Sequence, residues 1–139
     1  MNYLEFKQKR ENGFSSLPIF FAFNKEQFEE GIKKLGLEKD QTFLIVSIGG
    51  GGYIRRKDIR LIKKSINDSD NEFSELMKKD DFFIEALVYE LGNHEFGYTY
   101  DPTDALASLN LNMDFINSDE HTKYLFACAK SKYFEGENS

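Results

Sequence analysis

Four consecutive glycines, Gly49–Gly52, interrupt the chain between an apolar run and a strongly basic segment. Residues 42–48 are apolar and rich in β-branched side chains, as expected of a central strand, and residues 52–56 have the composition of an antiparallel partner. Glycine adopts the positive φ angles of tight turns without the steric cost of a Cβ atom. The stretch therefore predicts a β-hairpin with the glycines at its tip.

Further apolar runs and capped amphipathic segments complete the predicted fold. Residues 17–23 form an apolar run too short for a stable helix, which favours a buried strand. The alternation of Phe96, Tyr98 and Tyr100 with smaller residues favours a short strand with one buried face. Helical spacing and capping residues predict helices that begin near residues 2, 24, 58, 80, 101 and 118. The predicted class is α+β, with a small, mainly antiparallel sheet of three or four strands packed against about five or six helices.

Chain length and composition favour one globular domain. A chain of 139 residues with only two prolines is the size of a single domain and has little material for a long linker. We expect this domain to cover residues 1–134 and residues 135–139 to form a disordered tail. One cysteine excludes an intrachain disulfide and fits a reducing compartment. No apolar run has the length of a membrane span, so we expect a cytoplasmic protein with no membrane partner and no cofactor.

The charges are unevenly distributed along the chain. Residues 55–64 contain six basic side chains against one acid, whereas residues 80–122 contain ten acids and neither lysine nor arginine. We expect the acids to share an exposed surface without interspersed cations, which would bind a basic protein surface. The candidate partner-binding acids are Asp80, Asp81, Glu95, Asp101 and Asp104.

The glycine run is also a candidate anion site. A dinucleotide-binding fingerprint or a phosphate-binding P-loop starting at Gly49 would require glycine at position 54, which is Ile54. Exposed backbone amides followed by cations could still hold a phosphate or a nucleic-acid backbone. The residues of this alternative are Gly49, Gly50, Gly51, Gly52, Arg55, Arg56, Lys57 and Arg60. A plain hairpin tip beside a solvated basic helix explains the same pattern, and both interpretations stay open.

The sequence contains few candidate residues for metal-dependent catalysis. Glu90, His94 and Asp101 could supply ligands or an acid–base pair, but the H-E-x-x-H pattern of zinc hydrolases is absent. The structural alternative places His94 at a helix C-terminus beside Glu90, with Asp101 as a helix cap. Since neither a nucleophile nor a complete ligand set is evident, the sequence favours a non-enzymatic role and no metal.

Three stretches resemble a family of small uncharacterised proteins carried by phages and other mobile elements of gut and related bacteria. They are LPIFFAFNKEQFEEGIKKLGL, SIGGGGYIRRKD and YELGNHEFGYTYDPTDALASLNL, and the resemblance covers about residues 3–111. It implies a genomic setting and no established activity. Small acidic proteins of mobile elements often block a host defence protein at its nucleic-acid-binding surface, and anti-CRISPR proteins are the best-known group.

The leading hypothesis combines this setting with the charge pattern. It is a protein-binding module of a mobile element, directed at a host or mobile-element protein and acting as an anti-CRISPR-like inhibitor through its acidic surface. The first alternative is a phosphate or nucleic-acid binder that uses the glycine run and the adjacent basic helix. The second is a small metal-dependent enzyme.

Overall fold

The computed structural model describes residues 1–137 and confirms the α+β class. Over these residues the chain forms eight α-helices, of which five have ten residues or more, and one three-stranded antiparallel sheet. The elements are α1 (Tyr3–Ser15), β1 (Phe20–Phe21), α2 (Lys25–Lys34), β2 (Ile45–Gly49), β3 (Gly52–Arg55), α3 (Ile59–Met77), α4 (Asp80–Asn93), α5 (Phe96–Thr99), α6 (Thr103–Ser108), α7 (Met113–Ile116) and α8 (Glu120–Glu137), with 3₁₀ turns at Lys39–Leu44 and Arg56–Asp58.

Contacts between residues divide the chain into two compact units. The first, here called the acid-rich unit, comprises Met1–Phe6 and Glu72–Ser139. The second, here called the basic unit, is Lys7–Asn71. The single domain expected over residues 1–134 stays a prediction. None of the helices in the described part of the chain combines the length and the apolar composition that a bilayer crossing requires.

The sheet of the basic unit confirms the predicted hairpin but changes the order of its strands. β2 and β3 pair antiparallel around the glycine tip, and β1 pairs with the other edge of β3, so the order is β1-β3-β2. The central strand is therefore β3, and the expectation of a central strand at residues 42–48 is wrong. Residues 42–44 belong instead to a 3₁₀ turn. The face that carries Phe20 packs with Ile32 and Ile45 in a small apolar core.

Local capping signals set the ends of α2. The Oδ1 atom of Asn24 accepts a hydrogen bond from the Gln27 amide at 2.8 Å, which satisfies a backbone donor that the helix leaves free. After the last turn, Gly36 has a φ of 78°, and the Leu37 amide donates back to the Ile32 carbonyl. This is a Schellman ending, and it requires a residue that tolerates the left-handed conformation.

Helix α4 lies at the centre of the acid-rich unit, as its nearly all-round apolar sequence predicts. Its buried Phe82, Phe83, Ala86 and Leu87 pack with residues of α6 and α8 in one core. The helix predicted to begin near residue 58 is also confirmed: α3 starts at Ile59 and runs without a break through the polar residues 67–71. No side chain caps α4, although Asp80 and Asp81 lie in its first turn.

The C-terminal part differs from the sequence expectation at three points. The predicted strand at Phe96–Tyr100 is wrong, because these residues form α5 and its C-terminal cap. Asp119, and not Ser118, accepts the amide of Thr122 and so caps α8. Helix α8 continues to Glu137, three residues into the segment 135–139 where we expected a disordered tail. Residues 138 and 139 lie outside the described residues.

Candidate protein-binding surface

The two units carry opposite formal net charges. The acid-rich unit contains 15 acidic and five basic residues, a balance of −10 with histidine neutral. The basic unit contains 13 basic and nine acidic residues, a balance of +4. The uneven distribution seen along the sequence is therefore retained when the chain is grouped by its contacts.

The five predicted partner-binding acids are all exposed, but they do not form one cluster. Asp80 and Asp81 begin α4, whereas Glu95 follows its last turn. A helix of 14 residues is about 20 Å long, so these two groups lie at opposite ends of α4. Asp101 and Asp104 lie at the start of α6. The expectation of one shared patch is replaced by two separate acidic regions.

The acidic region at the start of α4 contains a histidine and lysines as well as acids. His121 Nε2 lies 3.0 Å from Asp80 Oδ2, a contact between residues 41 positions apart that sequence spacing could not reveal. Lys123 pairs with Glu120 at 3.1 Å, and Lys78 pairs with Glu75 at 2.8 Å. The expectation that no cation is interspersed among the acids is wrong at this end of the helix.

The region after α4 carries two exposed tyrosines among its acids. The ring of Phe96 is buried against Tyr133 and Phe134, which fixes α5, while Tyr98 is 86% exposed and Tyr100 is 70% exposed. Glu95 and Tyr100 flank α5 with φ angles of 57° and 54°. Left-handed backbone at residues other than glycine costs about 1 kcal/mol or more, so packing must hold it in place. We call Glu95, Tyr98, Tyr100, Asp101 and Asp104 the tyrosine surface.

Asp101 has a defined geometry within the tyrosine surface. Its Oδ1 atom accepts hydrogen bonds from the Thr103 hydroxyl at 2.6 Å and from the Thr103 amide at 3.0 Å. These bonds favour the charged form and lower the pKa of Asp101 below its ordinary value. The carboxylate is therefore ionised at neutral pH and is held at the start of α6. The predicted capping role of Asp101 is wrong in its position, because Pro102 is the N-cap residue of α6 and Asp101 bonds to Thr103 from one residue before it.

Glu90 and His94 form a structural cluster. The Glu90 carboxylate is buried and accepts from the Tyr3 hydroxyl at 2.8 Å and from the Ser108 hydroxyl at 3.1 Å. His94 Nε2 lies 3.3 Å from Glu90 Oε2, which confirms the predicted pairing of these two residues at a helix C-terminus. Sequence reasoning missed Tyr3 and Ser108 because both are distant in the chain.

The metal alternative finds no support in this cluster. Among residues 1–137 no group of three or more His, Cys, Asp or Glu side chains is placed to hold a metal ion. Asp101, the third expected ligand, bonds to Thr103 instead.

The glycine tip is a hairpin whose neighbouring arginines bind protein atoms. Gly49, Gly50 and Gly51 all have positive φ angles, as the sequence predicts for a turn. Arg55 forms an ion pair with Asp58 and donates to the Leu35 carbonyl at 3.1 Å, and Arg56 donates to the Phe43 carbonyl at 2.9 Å. The remaining candidate cations, Lys57 and Arg60, are exposed. Anion binding by this loop stays a prediction, with two of its four cations already engaged.

Comparisons with known proteins define the family of this chain and little else. No curated protein and no solved structure matches it. The profile of a family of unknown function, DUF7659, matches residues 2–132. The match extends past residue 112, where we expected the resemblance to end, and includes every element from α1 to most of α8. The chain therefore belongs to the family of unknown function DUF7659.

Proposed function

We propose that the protein is a non-enzymatic protein-binding module that contacts a basic region of its partner through the tyrosine surface. The observation that carries the proposal is the exposure of Tyr98 and Tyr100 beside three exposed acids on a backbone fixed by buried Phe96. Tyrosine is enriched among the residues that dominate binding energies, because its ring buries a large area and its hydroxyl can hydrogen-bond. An exposed ring on fixed backbone loses little conformational freedom on binding.

Charge supports the choice of a basic partner. The acid-rich unit has a formal balance of −10, which attracts cationic surfaces and speeds their encounter. Asp80 and Asp81 contribute to this field from the other end of α4 without belonging to the contact surface. The hydrogen bonds to Asp101 keep its charge in a constant position.

The resemblance to mobile-element proteins suggests which class of protein the partner belongs to. In the cytoplasm of a bacterial host, the partner would be a protein of a nucleic-acid-directed defence system, and the module would act as an anti-CRISPR-like inhibitor. Its carboxylates would occupy the positions that nucleic-acid phosphates take in a basic groove. Binding of the module and of nucleic acid would then be mutually exclusive.

The experiment is a capture from host lysate on the immobilised protein, followed by purification of the captured partner. The test variant combines Glu95→Gln, Asp101→Asn and Asp104→Asn. Asparagine at position 101 keeps an acceptor for Thr103, so the start of α6 is preserved. The matched control combines Glu11→Gln, Glu26→Gln and Asp40→Asn, which removes three exposed acids from the basic unit.

The partner should bind the control as well as the unchanged protein and bind the test variant at least about tenfold more weakly. Tyr98→Ser should weaken binding by a similar factor, and added DNA should displace the module from its partner. Equal binding by the test variant and the control would contradict the proposal, as would a partner that holds DNA and the module together.

A further inference from the structure

The acid-rich unit has an open cleft at the end of α4 that is remote from the tyrosine surface. Its volume is about 450 Å³, and the ends of α3, α4, α6, α7 and α8 meet around it. Asp80 lines this cleft, whereas Glu95 lies beyond the opposite end of α4, about 20 Å away along the helix axis. The cleft is thus a second candidate contact region, and it does not depend on the tyrosine surface.

The walls of the cleft are apolar and only partly covered. Phe83 and Leu125 are buried parts of the core that reach its lining, Leu111 is half-buried, and Phe115 is 46% exposed. The volume lies within the range of about 300–1,000 Å³ that is typical of binding pockets. An apolar side chain that entered from outside would contact these four side chains and remove their surface from water.

The rim of the cleft is charged and mainly acidic. Asp80 lines it and contacts His121 from α8. The two helices that supply these residues begin with further acids, Asp81 in α4 and Asp119 and Glu120 in α8. Lys78 also lines the cleft and pairs with Glu75, and Lys123 pairs with Glu120, whereas Lys79 is the exposed N-cap residue of α4. Three lysines therefore face five acids around the rim, namely Glu75, Asp80, Asp81, Asp119 and Glu120, and the formal balance of the rim is negative.

We propose that this cleft binds a basic amphipathic helical segment of a partner protein. The apolar face of such a segment matches the lining formed by Phe83, Leu111, Phe115 and Leu125, and its lysine or arginine side chains match the carboxylates of the rim. Asp80 lies where apolar lining and rim meet, and it pairs with a cation of the segment in place of His121. Charge complementarity selects this occupant over an acidic or neutral peptide.

The test is a selection from a displayed library of random peptides of about 14 residues, roughly four helical turns, with the whole protein as target. Selected peptides should carry apolar residues at helical spacing together with lysine or arginine. The dissociation constant of a selected peptide is then measured by fluorescence anisotropy. NMR of the labelled protein should show shifts of the Phe83 and Leu125 amides when the peptide is added.

Three single variants assign the binding to the cleft. Phe115→Ser should weaken the peptide about tenfold, and Asp80→Asn about threefold, since the first removes a wall and the second a rim charge. Tyr98→Ser is the control and should leave the peptide affinity unchanged. Because Phe115 is 46% exposed, its replacement is expected to leave the fold intact, and the amide spectrum checks this.

The proposal is overturned if no peptide is selected, if selected peptides lack basic residues, or if Phe115→Ser binds them as tightly as the unchanged protein. Amide shifts confined to residues 95–104 would also overturn it, because the peptide would then occupy the tyrosine surface. The outcome is independent of the proposed function, because the variant with neutralised Glu95, Asp101 and Asp104 keeps the cleft. If this variant loses the lysate partner but still binds the peptide, the tyrosine surface and the cleft are separate binding sites.

Discussion

At the scale of single residues, Gly31 shows how one missing side chain sets the packing of the basic unit. A Cβ atom on Gly31 would overlap the ring of Phe20, which packs over it in the small core between α2 and the sheet. Gly31→Ala should therefore lower the free energy of unfolding by about 1–3 kcal/mol, because the ring must leave its place in the small core to make room for the methyl group. Urea denaturation measures the change.

The matched control is Gly13→Ala in α1, where no atom apart from the neighbouring residues and the backbone of the helix itself lies within 4 Å of the added Cβ. Alanine there should raise stability by up to about 1 kcal/mol, since it loses less backbone freedom than glycine in a helix. A neutral or stabilising effect of Gly31→Ala would show that Phe20 does not occupy this position in solution.

Asp101 gives a second prediction for a single residue. The Thr103 hydroxyl is the first cause of its lowered pKa, and the Thr103 amide is the second. Thr103→Ala removes only the hydroxyl, so the pKa of Asp101 should rise part of the way toward its ordinary value. Because the folded pKa is depressed, the bonds stabilise the folded protein above the unfolded pKa, and this contribution is lost as pH falls through the folded value.

An NMR titration of the Asp101 carboxyl carbon measures this pKa directly. Asp104, three residues further along, is the internal comparison within each spectrum. An Asp101 pKa that does not change in the Thr103→Ala variant would mean that the hydroxyl bond is not formed in solution.

At the scale of secondary-structure elements, α2 shows which signals are readable from sequence. Its start near residue 24 was predicted, because the Asn24 side chain caps an amide only three residues away. Its end is equally local, since Gly36 supplies the left-handed conformation that follows the last turn. Asn24→Ala should destabilise the protein by about 1 kcal/mol, whereas Asn24→Ser should retain most of the stability, since serine also accepts the Gln27 amide. Thermal unfolding followed by circular dichroism compares the two. Equal loss for both variants would contradict the capping role.

Helix α5 shows what the sequence could not reveal. The alternation of Phe96, Tyr98 and Tyr100 is equally compatible with a strand, but a strand needs a neighbouring strand, and the described part of the acid-rich unit contains none. Two contacts from α8 decide the outcome: the Tyr133 hydroxyl accepts the Gly97 amide at 2.9 Å, and the rings of Tyr133 and Phe134 enclose Phe96. Since α8 follows more than 20 residues later, no local pattern encodes these contacts.

Within the candidate sites, too, the sequence predicts the contacts between residues close in the chain and misses those between distant residues. The pairing of His94 with Glu90 acts over four residues and was predicted. The contact between Asp80 and His121 and the cleft beside it depend on the packing of several helices around α4. Such sites become visible only when the tertiary arrangement is known.

At the scale of the whole molecule, the opposite charges of the two units should direct opposite polyions to different residues. A formal balance of +4 in the basic unit favours phosphates, and −10 in the acid-rich unit favours cations. In NMR titrations at low salt, single-stranded DNA should shift amides near exposed Lys57, Arg60 and Lys63, while a lysine oligomer should shift amides of the acid-rich unit.

Both sets of shifts should disappear at about 0.5 M salt, because screening shortens the range of interactions between exposed charges to a few ångströms. Arg55 and Arg56 should contribute little to DNA binding, since their guanidinium groups already bond to Asp58 and to backbone carbonyls. Lys57→Gln with Arg60→Gln should thus abolish most of the DNA-induced shifts, and the matched change Lys33→Gln with Lys34→Gln, in α2, should leave them. DNA-induced shifts that persist at low salt in the double variant Lys57→Gln with Arg60→Gln would show that the glycine tip itself holds the phosphates. The hairpin would then be an anion site.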